Sequence, residues 1–180
     1  DEKTLTQVDE VIELADKNNL HLSFNLHRAP GYCVNRPEEE PFDLWKDQEA
    51  LDAFCRQWEM FTKRYKGISS DKLSFDLVNE PPFPREDPEE GMTRNDHERV
   101  ARAAVKVIRG IDPERLIVAD GLSYGNLPMP ELADLHIGQS CRGYTPAGIS
   151  HYRASWVDKN SDFPEPEWPS TDTNGNVCDK

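Results

Sequence analysis

Stretches with helical periodicity alternate with stretches of strand periodicity along this chain, and that alternation restricts its fold more than any other feature. Leu5, Val8, Ile12 and Ala15 recur at helical spacing and predict an amphipathic helix over residues 4–18. Leu20, Leu22, Phe24 and Leu26 then alternate with His21, Ser23, Asn25 and His27, the period of two that a strand imposes. After a loop rich in Pro, Gly and Glu, Asp47 is placed to cap a second helix. Its stripe is Leu51, Phe54, Trp58, Phe61 and Tyr65, closed by Lys66-Gly67. A second strand over 72–78 sets Leu73, Phe75 and Leu77 against Ser74, Asp76 and Val78. A Pro- and acid-rich loop leads to a helix over 93–109, opened by a Thr93/Asp96 capping box and ended at Gly110. A third strand is expected at 116–119, a turn or short helix at 130–133 and a fourth strand at 135–141. The last forty residues, with Trp156 and Trp168, read as a long loop and an open tail.

Strands separated by helices predict βαβ units and a parallel sheet. Four such strands make half a barrel or a small open α/β sheet. The chain has 180 residues, short of the ~250 of a complete (β/α)8 barrel. Its net charge of −13 disfavours phosphate backbones and anionic membranes, so neither nucleic acid nor a membrane is an expected partner. No apolar run approaches the ~20 residues of a membrane span. Cys33, Cys55, Cys141 and Cys178 form no CxxC motif and read as free thiols or at most one or two bridges. The histidines at 21, 27, 97, 136 and 151 show no HxxxH or HxH spacing, so no metal or other cofactor is expected.

In parallel α/β folds the chemistry gathers where strands end. The first strand ends in Asn25-Leu26-His27-Arg28, the second in Val78-Asn79-Glu80-Pro81, the third in Ala119-Asp120-Gly121, the fourth in Ser140-Cys141-Arg142-Gly143-Tyr144. Within each strand the bulky residues alternate, at even positions in the first and odd positions in the second, and should face the covering helices. His27 and Glu80 therefore end their strands on the opposite, polar side. A carboxylic acid there, beside Asn79 and within the reach of His27, fits a general acid/base. The bland alternatives are a surface carboxylate and a structural histidine.

The segments LSFDLVNEPP (73–82), LSFNLHRAPGY (22–32), QSCRGYTP (139–146) and SHYRASW (150–156) resemble glycoside hydrolase family 5, a cellulase-type family of (β/α)8 barrels. The resemblance implies a partial TIM-barrel catalytic domain over 1–157, carrying strands three to six, with 158–180 a loop or tail. It implies Glu80 as acid/base, Asn79 bonded to the sugar 2-hydroxyl, His27 lining the subsite at the scissile bond and Tyr144 orienting the nucleophile. Trp156 and Tyr32 become candidates for sugar stacking. Arg142 stands where the family usually has histidine, and an arginine cannot shuttle protons as imidazole does. It remains able to hydrogen-bond the nucleophile.

The family's nucleophile is a glutamate ending a seventh strand, and nothing after Tyr144 resembles that strand. The expectation is therefore a fragment truncated at both ends, inactive and aggregation-prone by itself because an open sheet has two unpaired edges. The implied function of the whole is a retaining endo-β-1,4-glucanase acting on a polysaccharide or oligosaccharide, with no obligate protein partner and an extracellular or periplasmic location. The alternatives are a non-catalytic carbohydrate-binding barrel, or a member acting on mannan or another β-glucan.

Overall fold

The computed structural model describes residues 2–35, 40–157, 160, 163–169 and 177. They fall into two compact units, Asp1–Cys141 and Arg142–Lys180. Most of the tail expected over 158–180, Cys178 included, lies outside the described residues. Cys33, Cys55 and Cys141 are free thiols.

The first unit is a partial (β/α)8 barrel of four parallel strands. Helix α1 (Glu2–Lys17) leads into β1 (Leu22–Asn25). A two-stranded antiparallel hairpin, β2 (Arg28–Ala29) and β3 (Tyr32–Cys33), follows within the stretch read from sequence as a loop. Then come α2 (Gln48–Tyr65), β4 (Leu73–Asp76), α3 (Arg94–Ile111), β5 (Ile117–Asp120), a one-turn α4 (Leu122–Gly125) and β6 (Gly138–Ser140). Short 3-10 turns sit at Pro88–Glu90 and Pro130–Leu135. The parallel sheet runs β1-β4-β5-β6, so each strand lies beside the next parallel one in the chain. In the second unit a single helical turn, α5 (Ala147–Ser150), interrupts the expected loop.

Register carries the predicted parity across the sheet. Phe24 pairs with Phe75 and Asn25 with Asp76, while Asp76 pairs with Val118 and Asp120 with Ser140. Because paired residues of parallel strands point the same way, Phe24 and Phe75 face the helices together. There Phe24 meets Phe61 edge-on at 4.7 Å and Trp58 lies 5.1 Å from Phe75. Trp58, Phe54 and Phe75 are fully buried. The other face carries Asn25, Asp76, Val118, Asp120 and Ser140. On that face, near the strand beginnings, His21 Nε2 lies 2.9 Å from the Ser74 hydroxyl.

Two helix ends differ from expectation. Asp47 is the N-cap residue of α2, but its side chain makes no cap bond. Its Oδ2 accepts the Asp43 N–H at 2.7 Å instead, tightening the preceding turn. Gly110 does not end α3, which runs one residue further to Ile111 with Asp112 as its C-cap. The Gly110 position is open and its neighbours continue the apolar stripe, so glycine's weak helix propensity is overridden there. The Thr93/Asp96 capping box at the start of α3 is present in both directions.

Candidate active site

The chain leaves β4 at Asp76 and reaches Glu80 four residues later. Asn79 donates its backbone N–H to the Leu26 carbonyl at 3.1 Å, so the two strand ends stay joined past the sheet proper. Asn79 is buried and Glu80 half-buried. Glu80 adopts a left-handed backbone, φ +49°, a conformation that is costly for a residue with a Cβ.

Two side chains from other segments hold that backbone. The Glu80 N–H donates to Asp120 Oδ2 at 2.9 Å. The Tyr32 hydroxyl donates to the Glu80 carbonyl at 2.6 Å. Asp120, the last residue of β5, is 1% exposed. Its inward parity, set by the β5 register, aims it at the loop after β4.

Tyr32 comes from the hairpin. The expectation from family resemblance was a sugar-stacking ring, but Tyr32 is 4% exposed, with its edge on Trp45 at 5.0 Å. Its polar end, not its ring face, is turned to the site. The hairpin owes its placement to Gly31, whose φ of +77° and close approach to Leu44 N leave no room for a Cβ. Glu40 accepts the Gly31 N–H at 2.8 Å and pairs with Arg28 at 2.7 Å. Trp45 in turn stacks on His97 of α3. Burial drives the His97 pKa down to about 4, opposed by Glu131 and assisted by Arg94.

His27 is exposed, two residues past β1, and its Nε2 lies 3.2 Å from Asn35 Nδ2. If the amide donates, the ring proton sits on Nδ1, leaving a donor for a ligand. Beyond Glu80, the Pro81 and Pro82 carbonyls accept the N–H groups of Tyr124 and Ser123 at 2.9 and 3.2 Å. Both donors are left-handed residues of the turn that follows β5. The structure thus brings His27, Asn79 and Glu80 to the same end of the sheet. Sequence reading missed Asp120 and the hydroxyl of Tyr32 as partners of Glu80; for Asp120 the available signal was its position at a strand end.

Arg142, Tyr144 and Trp156 belong to the second unit. Arg142 and Tyr144 are half-buried. Tyr144 meets the His151 ring edge-on at 5.1 Å, and its carbonyl accepts the Ser150 hydroxyl at 2.6 Å. Trp156 is 71% exposed. Among the described residues no cluster of three or more His, Cys, Asp or Glu is arranged to hold a metal ion. No helix among them is long and apolar enough to cross a membrane.

Parallel strands whose ends collect a glutamate, an asparagine and a histidine define a partial barrel of the glycosidase type. The profile of the cellulase family, glycosyl hydrolase family 5, matches residues 1–160, and the chain belongs to that family. It is 48% identical to a glycoside hydrolase of known crystal structure, with a TM-score of 0.86 over 98% of this chain and 53% of that one. Endoglucanase C of Acetivibrio thermocellus is 29% identical over 162 residues, which cover 87% of this chain and 44% of that enzyme. Endoglucanase Cel5A of Thermotoga maritima, solved also with cellobiose, is 25% identical with a TM-score of 0.66, covering 93% of this chain and 50% of that one. The chain spans about half the length of these relatives.

Proposed function

We propose that the protein containing this chain is a retaining endo-β-1,4-glucanase in which Glu80 is the general acid/base. The observation that carries this reading is the placement of Glu80 at a strand end, beside Asn79 and held by side chains from two other segments, in a chain of the cellulase family. In the first step Glu80 gives its proton to the departing glycosidic oxygen while a second carboxylate attacks the anomeric carbon, forming a glycosyl-enzyme. In the second step Glu80 takes a proton from water as that water releases the sugar, so configuration is retained. Retention requires the two carboxyl groups to stand ~5–5.5 Å apart. The nucleophile is a glutamate outside the four parallel strands. Asn79 binds the sugar 2-hydroxyl, His27 lines the subsite at the scissile bond, Tyr144 orients the nucleophile, Arg142 hydrogen-bonds it, and Trp156 offers an exposed face to a sugar ring. The substrate is a glucan chain, in line with the endoglucanases among the relatives.

The test is Glu80→Gln in the full-length protein, assayed on unactivated cello-oligosaccharides. Turnover should fall ~10²–10⁴-fold, the usual contribution of a positioned general acid. Turnover like that of the wild type would overturn the assignment. Parallel assays on β-mannan and on mixed-linkage glucan decide the substrate, and activity confined to mannan would overturn the glucan reading alone.

A further inference from the structure

We infer that Tyr32 and Asp120 form a two-sided backbone clamp that sets the direction of the Glu80 side chain, making both positioning residues for proton transfer. The inference rests on the reading of Glu80 as acid/base.

The left-handed conformation of Glu80 is the starting point. Such a residue costs of order 1–2 kcal/mol and persists only where its surroundings over-determine it. Here they do. The N–H that precedes the Glu80 Cα is held by Asp120, and the carbonyl that follows it is held by Tyr32. With one bond on each flanking peptide, both φ and ψ are set, and so is the Cα–Cβ direction. Relaxing either peptide lets the backbone return toward an ordinary basin and swings the carboxyl away.

Both anchors are rigid. Asp120 ends a strand hydrogen-bonded on both sides, to β4 and to β6. Tyr32 is wedged against Trp45, which stacks on the buried His97 and whose carbonyl accepts Arg99 Nη2 at 2.9 Å. The anchors also come from different segments, the hairpin after β1 and the end of β5, so no local turn preference accounts for the arrangement. Proton transfer is sensitive to such placement, because a displacement of ~1 Å costs about 10²-fold in rate.

The experiment uses the full-length protein and two substrates. An unactivated cello-oligosaccharide needs its leaving oxygen protonated. A dinitrophenyl β-cellobioside does not, because dinitrophenolate departs as the anion. Tyr32→Phe and Asp120→Ala should lower kcat on the oligosaccharide by about 10–10²-fold, with KM little changed, while the rate of glycosyl-enzyme formation from the dinitrophenyl substrate stays near the wild-type value. Asp120→Asn, whose amide oxygen can still accept the Glu80 N–H, should recover most of the oligosaccharide activity. Equal losses on both substrates, or no loss on the oligosaccharide, would overturn the clamp. Glu80→Gln run on the same pair separates the two readings. If it shows no dependence on leaving group, the acid/base role itself fails. If it shows that dependence and the Tyr32 and Asp120 variants do not, only the clamp fails. Tyr32→Phe retains the packed ring, so a correctly folded variant is expected; thermal melting verifies it.

Discussion

Trp45 lies nearly parallel to His97, with ring centres 5.6 Å apart and planes inclined by 26°. The contact links α3 to the segment that follows the hairpin, and Trp45 bears directly on Tyr32. His97 is 2% exposed, so the stack consists of a neutral imidazole against an indole. A protonated ring at that depth would have to be desolvated, which is why burial lowers its pKa to about 4.

That shift makes stability depend on pH with a definite sign. The unfolded chain takes up the His97 proton near the ordinary value of 6.5, whereas the folded chain resists until about 4. Between those limits the unfolded state binds more protons, so stability falls as pH drops. The contribution is full above pH 6.5 and lost by about pH 4, amounting to about 3 kcal/mol across the window. Thermal melts of the full-length protein from pH 8 to 4 should show this slope on top of the general acid response. His97→Gln should flatten it while lowering stability at pH 7. An unchanged slope in that variant contradicts the assignment.

Gly31→Ala should damage both stability and activity. The residue sits at φ +77°, and an added Cβ would stand 2.6 Å from the Leu44 backbone nitrogen. Neither atom can move without breaking the Leu44 N–H bond to the Gly31 carbonyl, 3.1 Å long. The left-handed penalty alone is about 1–2 kcal/mol, and the clash adds to it. Because the next residue is Tyr32, the displacement reaches the Glu80 carbonyl. Denaturant titration and oligosaccharide turnover should both decline. A variant with wild-type stability would show that the turn is not as tight as the structure has it.

The sequence announced the elements whose rules are local and left out those that depend on distant partners. The stripe of α2 is legible because Leu51, Phe54, Trp58 and Tyr65 follow a 3.6-residue period. The polar face of β1 and β4 is legible because Ser23, Asn25, Ser74 and Asp76 follow a period of two. The capping box of α3 lies within four residues. Strands β2 and β3 have two residues each, too few to display any period. The left-handed pair Ser123 and Tyr124 has no glycine to signal it at either position. Its N–H groups are satisfied by Pro81 and Pro82, some forty residues earlier, a tertiary arrangement that no local window contains. The site divides in the same way. Strand-end position singled out Glu80, Asn79 and His27, and family resemblance assigned their parts. The bond from Glu80 to Asp120 spans 40 residues and depends on which side of β5 faces the loop.

Arg115 offers the sharpest test of the core, since it is a cation 1% exposed at the opposite end of the sheet from Glu80. Its Nη1 donates to the Leu73 carbonyl at 2.7 Å. Its Nη2 reaches the Tyr65 and Ile68 carbonyls at 3.1 and 2.9 Å and Asp112 Oδ2 at 2.8 Å. The guanidinium also lies 4.8 Å from the centre of the Phe75 ring. One planar fork thus joins the end of α2, the start of β4 and the turn before β5, donating to carbonyls of the last residue of α2, the turn after it and the first residue of β4. Arg115→Met fills much of the volume but strands the Leu73 and Ile68 carbonyls and the Asp112 carboxylate, while the Tyr65 carbonyl keeps the Ile68 N–H, at a cost of about 3–5 kcal/mol. Arg115→Lys keeps the charge, yet a single ammonium cannot span acceptors on three segments, so it should recover only part of the loss. Urea unfolding of the full-length protein ranks the three. Wild-type above Lys above Met is expected, and a lysine variant as stable as the wild type would show that charge, rather than the fork, secures this end of the sheet.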